Sequence, residues 1–270
     1  MTDGALLPQG PLWLVGCGNM GGAMLRRWLG AGLDPAEVTV ITRSGAGVPE
    51  GVRALPAPPP DEQPATLVLA VKPQQLDAVA PGLAALKPPL LISILAGVEE
   101  AALADRIPAA AVVRAMPNLP VAIGRGVTAL YTSSDHAPAR DAAAALMAPL
   151  GLVEWIADEA LFDAVTALAG SGPGFVFRFA DALARAGTAL GLPEDQAMRL
   201  AIATLAGSAA MAAGAQESPA ALADRVASPG GSTRKGLDVL DRDDALVRLL
   251  SDTLAAATRR NAEMAAEARR

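Results

Sequence analysis

The chain has 270 residues, 52% hydrophobic and 19% charged, a globular balance with length for one large domain or two modest ones. A net charge of −6 argues against nucleic acid or an anionic membrane surface as the main partner. One cysteine, Cys17, and one histidine, His136, leave no intrachain disulfide, no C-x-x-C pair and no zinc site built from soft ligands, so no metal is expected.

The first ten residues carry neither a cationic start nor an apolar core, so no signal peptide is expected and the cytoplasm is the expected compartment. Continuous apolar runs then recur at 11–16, 37–42, 66–71, 89–95 and 111–116, the pattern of parallel strands buried on both faces. Amphipathic stretches at 19–31, 74–86 and 98–106 separate most of them, and this alternation predicts a Rossmann-type doubly wound α/β sheet. Runs at 127–133 and 152–156 extend it, with a helix at 138–149 between. The proline cluster 56–60 reads as a surface loop. After about Asp158 the strands stop, and 159–169, 174–190, 194–215, 218–227, 232–240 and 243–266 all read as helix. The expected domains are therefore 1–158, binding a dinucleotide, and 159–270, all-helical. The longest uncharged helical stretch, 200–216, reads as a buried helix too short for a bilayer, so no membrane partner is expected.

"LVGCGNMGG" sets Gly16, Gly18 and Gly21 as G-x-G-x-x-G between the first strand and the first helix. That spacing allows a tight turn, a close backbone approach to pyrophosphate, and a helix N-terminus aimed at it. Cys17 inside the loop reads as a small filler, since no base stands nearby in sequence. NAD enzymes place an acid at the end of the second strand; here the chain reads Thr42-Arg43-Ser44. A cation and a hydroxyl suit a 2′-phosphate, which favours NADPH with NADH accepted less well, although Arg43 also fits a solvated loop.

Candidate bases are few: His136 in a surface turn, Tyr131, and Lys72, Lys87 and Lys235. A reduction that needs no strong base, such as that of an already protonated imine, suits this inventory. "VASPGGSTRKGL" (226–237) adds a tight turn opening a helix, with Arg234 and Lys235 in a first turn where the macrodipole disfavours cations. A bound anion would remove the conflict; an ordinary Ser or Thr cap is equally open.

"AVKPQ" (70–74), "RAMPNLP" (114–120), "DAVTALAGSGPGF" (163–175) and "LADRVASPGGSTRKGLDVL" (222–240) follow the glycine loop in order. Together the chain resembles the Δ1-pyrroline-5-carboxylate reductases of proline biosynthesis over nearly its whole length. The resemblance implies that Val15, Gly16, Cys17, Gly18, Asn19 and Met20, with Gly21, cradle the cofactor phosphates. Ser44 beside Arg43 would meet the 2′-phosphate, Ala70, Val71, Lys72 and Pro73 would line the cofactor cleft, and Asn118 would sit near the nicotinamide. Ser228, Gly230, Gly231, Ser232 and Thr233 would bind the substrate, its carboxylate on the N–H groups of 231–233. Thr233 would be the catalytic residue, its hydroxyl on the ring nitrogen. The resemblance also implies a small-molecule substrate and a homodimer through the helical domain, extended to a larger ring of dimers. Family members often read GSGPAY where this chain has Gly174 and Phe175, serine where it has Ala169, and threonine where it has Ser232. Three other readings stand beside it. A reductase of another cyclic imino acid, such as the six-membered piperideine carboxylate, shares the chemistry. A non-catalytic NADP(H)-binding regulator is opposed by the intact carboxylate and hydroxyl positions at 228–233. A hydroxy-acid dehydrogenase with a similar first domain is disfavoured by the scarcity of bases.

Overall fold

The computed structural model describes residues 10–268. The first nine residues, on which the expectation about a leader mostly rests, lie outside them. The chain opens with β1 (Leu12–Val15), α1 (Asn19–Gly30), β2 (Val38–Ile41), β3 (Arg53–Leu55) and β4 (Thr66–Leu69). Next come α2 (Leu76–Leu83), β5 (Leu90–Ser93), α3 (Glu100–Arg106) and β6 (Ala111–Pro117). The sheet is completed by β7 (Gly126–Tyr131), α4 (Ala137–Met147) and β8 (Gly151–Trp155). Its order is β3-β2-β1-β4-β5-β6-β7-β8.

All neighbours are parallel except β6 and β7, which pair antiparallel with Arg114 opposite Tyr131. The reason is length. The link 118–125 holds only a short 3-10 helix and a left-handed Gly124, too little chain for the crossover a parallel pair needs. The edge strand β3 has no counterpart among the apolar runs, because Arg53 and Ala54 are exposed and only three residues pair.

Alternation along β1 shows how the sheet is covered. Leu12 and Leu14 bury into a cluster with Met24 and Trp28 of α1 and Leu146 of α4. Trp13 and Val15 bury into another with Leu76 and Leu83 of α2 and Leu103 of α3. Successive strand residues point to opposite faces, so two clusters on one strand mean helices on both sides. On the first face Trp28 donates its indole N–H to Leu146 O at 2.7 Å, and Arg27 Nε donates to Pro149 O at 2.8 Å. These bonds fix the direction of α1, and with it the glycine loop at its start.

The rest is helical: α5 (Phe162–Val165), a π-helical turn at Thr166–Gly170, α6 (Gly172–Ala189), α7 (Glu194–Gly214), α8 (Pro219–Arg225), α9 (Ser232–Asp241) and α10 (Ala245–Ala268). The chain forms two compact units, one running to Ser171 and including the stretch from Ala257 on, the other Gly172–Ala256. The strand-to-helix change near Asp158 falls inside the first unit, because the segment after it packs on the sheet. Phe162 buries with Met116 and Ala129, and Glu159 pairs with the buried Arg114 at 2.8 Å.

The second unit has a different interior. Its buried cluster is Ala184, Ala197 and Ala201, where α6 meets α7. Phe177, Leu190, Met211 and Val247 are all more than half exposed. By length and mean hydropathy, Glu159–Ala189 and Glu194–Gly214 are each long and apolar enough to cross a membrane, with 11% of each apolar window buried. The helix expected at 194–215 is present as Glu194–Gly214, but the expectation that its uncharged stretch 200–216 is buried and too short for a bilayer is corrected: the helix is long enough and largely uncovered. So large an uncovered apolar surface calls for a partner.

Candidate functional site

The first unit presents a cleft of about 620 Å³ at the carboxyl ends of β1, β2 and β4, where open α/β sheets bind their ligands. Of the residues expected to hold a cofactor, Val15, Gly16, Cys17, Gly18, Arg43, Ser44, Ala70, Val71 and Lys72 line it. Asn19, Met20, Gly21, Pro73 and Asn118 do not. Pro56, Ala57 and Pro58 form part of its wall, so the proline cluster is cleft lining as well as loop.

Three glycines shape the loop, each for a separate reason. Gly16 has φ +92°, and a Cβ there would stand 2.7 Å from Ala70 O. At Gly21 a Cβ would meet Gly16 O at 2.7 Å and Ala70 Cβ at 2.9 Å, so its lack of a side chain sets how closely α1 packs on the sheet. Gly18 is different: a Cβ there would meet no protein atom within 4 Å. It caps α1 with no side-chain bond to the free N–H groups. Open space before an uncapped helix N-terminus is the geometry a pyrophosphate needs. The residues present fit a dinucleotide.

Around this floor the polar groups are sparse. Ser44 Oγ accepts from Ala46 N–H at 3.3 Å, shaping the loop, while Arg43 is exposed and makes no ion pair among the described residues. No acid among the described residues lines the cleft. Cys17 is half-buried, its Sγ 3.7 Å from Gly47 O. Burial pushes its thiol pKa up, and the Arg26 charge only partly opposes this, so Cys17 stays a neutral filler. Tyr131 is no better as an acid: burial and then Glu100 raise its pKa.

Asn118 sits at the end of β6, buried, with its amide hydrogen-bonded at both ends. Nδ2 donates to Ala169 O at 3.0 Å and Oδ1 accepts from Val127 N–H at 2.9 Å. It ties the π-helical turn to the end of the β6–β7 pair. Ala169 takes part through its carbonyl, which explains why losing a serine hydroxyl there leaves the tie intact. Arg114, four residues earlier, was not singled out from sequence, yet it is buried, pairs with Glu159 and lies 4.3 Å over the Phe162 ring. An arginine inside an apolar strand was the available signal, since such a charge needs a partner.

In the second unit Ser228–Gly231 forms a tight turn. Gly231 N–H donates to Ser228 O at 2.9 Å, and Gly230 has φ +73°, the left-handed position of a type II turn after Pro229. Gly231 then caps α9 with no side-chain bond. This departs from the expectation that Gly231 N–H faces a ligand, because the turn itself uses it. The N–H groups of Ser232 and Thr233 have no helical acceptor behind them, and both residues are exposed. The charge conflict at Arg234 is resolved by three aspartates, Asp224, Asp238 and Asp241, rather than by requiring an anion.

Comparison with known proteins fits both units. Residues 159–264 match the family model for pyrroline-5-carboxylate reductase dimerisation, and 12–97 match one described as NADP oxidoreductase, coenzyme F420-dependent. The chain is 38% identical over 245 residues to the pyrroline-5-carboxylate reductase of Synechocystis, covering 86% of this chain and 90% of that one. It belongs to the pyrroline-5-carboxylate reductase family. The reductase of Thermus thermophilus is 39% identical over 265 residues, covering 94% of this chain and 98% of its own. The solved Coxiella burnetii reductase superposes with a TM-score of 0.84 at 31% identity, over 95% of this chain and 98% of that one. Family membership accounts for the apolar helices: the helical part is a dimerisation domain.

Proposed function

We propose that the protein reduces L-Δ1-pyrroline-5-carboxylate to L-proline, the last step of proline biosynthesis. The observation that carries this reading is the turn 228–231, which opens α9 with exposed, uncapped Ser232 and Thr233 N–H groups. NADPH, when bound, would supply the hydride. Gly18 and the start of α1 would hold the pyrophosphate, Arg43 and Ser44 the 2′-phosphate, with Ala70–Pro73 as the adjoining wall. Asn118 acts by tying the end of β6 to the π-helical turn.

The substrate carboxylate rests on Ser232 and Thr233 N–H, where the α9 dipole favours an anion. Ser228, Gly230 and Gly231 shape that seat. Thr233 Oγ hydrogen-bonds the ring nitrogen and orients the C=N carbon for attack. Hydride adds to that carbon, the C=N π pair moves to nitrogen, and the iminium proton stays on the amine product. A neutral imine takes up its proton from bulk solution before hydride attack, because the Thr233 alcohol is too weak an acid to supply it.

The working form is a homodimer through the helical domain, with larger rings built from such dimers. The division of labour follows 1–158 for the cofactor and 159–270 for dimerisation and substrate, in the cytoplasm, without membrane or nucleic-acid partners. The test is NADPH oxidation with the five-membered imine beside the six-membered one. Turnover on the five-membered ring supports the reading; turnover on neither, by a folded dimer, overturns it.

A further inference from the structure

We infer that Arg234 is a positioning residue of the carboxylate seat, an ionic latch across the turn that never touches the substrate. The inference rests on the proposed reduction of pyrroline-5-carboxylate. Arg234 follows Thr233 directly, yet its guanidinium is turned away from the helix N-terminus and consumed. Nη1 donates to Asp224 Oδ1 at 3.1 Å, Nε to Asp238 Oδ1 at 3.0 Å and Nη2 to Asp241 Oδ2 at 3.0 Å. Asp238 and Asp241 lie one and two turns further along α9, so two of the bonds lay the side chain along its own helix. The third crosses to Asp224 on α8, on the far side of the turn.

That crossing bond matters because little else holds the turn. Its backbone closures are Ala227 N–H to Asp224 O, Gly231 N–H to Ser228 O and Lys235 N–H to Gly231 O. Two consecutive glycines and the absence of a side-chain cap leave the backbone there permissive. A single exposed ion pair is worth little. Here one planar fork engages three carboxylates through three different nitrogens, which fixes direction as well as distance. Asp238 first, then the other carboxylates, raise the guanidinium pKa further, so the latch is charged at any assay pH. With every nitrogen engaged, the fork serves the geometry of Ser232 and Thr233 rather than the ligand.

The test compares Asp224→Ala, Asp224→Asn and Arg234→Lys in the full-length dimer. The two Asp224 variants change charge equally, but only asparagine keeps an acceptor. At saturating NADPH, Asp224→Ala is expected to raise KM for the imine about three- to tenfold, with kcat within about twofold. Asparagine should restore most of the loss. Arg234→Lys should resemble Asp224→Ala, since one ammonium cannot reach three carboxylates. In substrate-free enzyme the hydrogen-bonded Gly231 and Lys235 amides that close the turn should exchange faster in Asp224→Ala, while the NADPH dissociation constant holds. Equal KM in both Asp224 variants, or a lowered KM from the added positive charge, would overturn the latch. A wild-type dimer that does not reduce the imine would overturn the functional reading instead. Amide exchange would then still judge the latch, and unchanged exchange in Asp224→Ala would overturn it.

Discussion

Gly18 and Gly21 lie in the same loop but should fail in opposite ways when given a methyl group. At Gly21 the new Cβ would stand 2.7 Å from Gly16 O and 2.9 Å from Ala70 Cβ, so backbone must move. Overpacking of this kind costs about 1–3 kcal/mol. For a unit of this size that is a fall in Tm of roughly 2–12 °C, at about 2–4 °C per kcal/mol. At Gly18 the backbone is extended, φ −75° and ψ −162°, and no protein atom lies within 4 Å of the added carbon. Gly18→Ala should therefore leave Tm unchanged. It should weaken NADPH by about 10–100-fold, since the methyl pushes the pyrophosphate from charge-assisted N–H bonds worth about 1.5–3 kcal/mol. Differential scanning calorimetry and fluorescence titration of NADPH measure the two quantities separately. If Gly18→Ala binds NADPH as the unmodified protein does, no phosphate approaches the loop there and the cradle is wrongly placed.

Arg43→Ala should cost NADPH about 1.5–3 kcal/mol in kcat/KM and leave NADH nearly untouched; an unmodified enzyme equally efficient with both cofactors refutes the 2′-phosphate assignment. Thr233→Ala should lower turnover roughly ten- to a hundredfold with unchanged NADPH affinity, and full turnover would reduce the hydroxyl to a bystander. Cys17 should alkylate more slowly at pH 8 than free cysteine, because a raised pKa leaves less thiolate; bound NADPH should slow it again, and a fast-reacting thiol would contradict its burial. Light scattering at micromolar concentration should show at least a dimer, and a folded monomer would leave the exposed faces of α6 and α7 unexplained.

The sheet was legible because parallel strands buried on both faces are continuous apolar runs, and the helices between them together with the glycine loop marked a doubly wound arrangement. The short β3 was not, since an exposed three-residue edge carries no hydropathy signal. The reversed pair β6–β7 was hidden for another reason: the runs at 111–116 and 127–133 have the same character whichever way the later one points. In the site, the glycine spacing and the Pro-Gly-Gly turn were readable from local chemistry. The engagement of Asn118 with Ala169 O depends on contact between residues far apart in the chain, which no spacing rule reports. At Arg234 the partners Asp238 and Asp241 follow from helical periodicity, while Asp224 becomes visible only when α8 and α9 are folded.

The three-alanine interior of the second unit bears on how the protein is made as well as on how it is assembled. Alanine burial removes little apolar surface from water, so a lone copy gains little when α6 meets α7. The sheet unit, with Trp13, Trp28 and two dense clusters, can condense at a rate independent of dilution. Completion of the helical unit needs encounter with another chain, so its rate constant is second order. Refolding should show a fast burial of tryptophan fluorescence followed by a slower gain of helicity that accelerates with protein concentration. A newly made chain would thus be ready for its nucleotide before it can seat an imino acid.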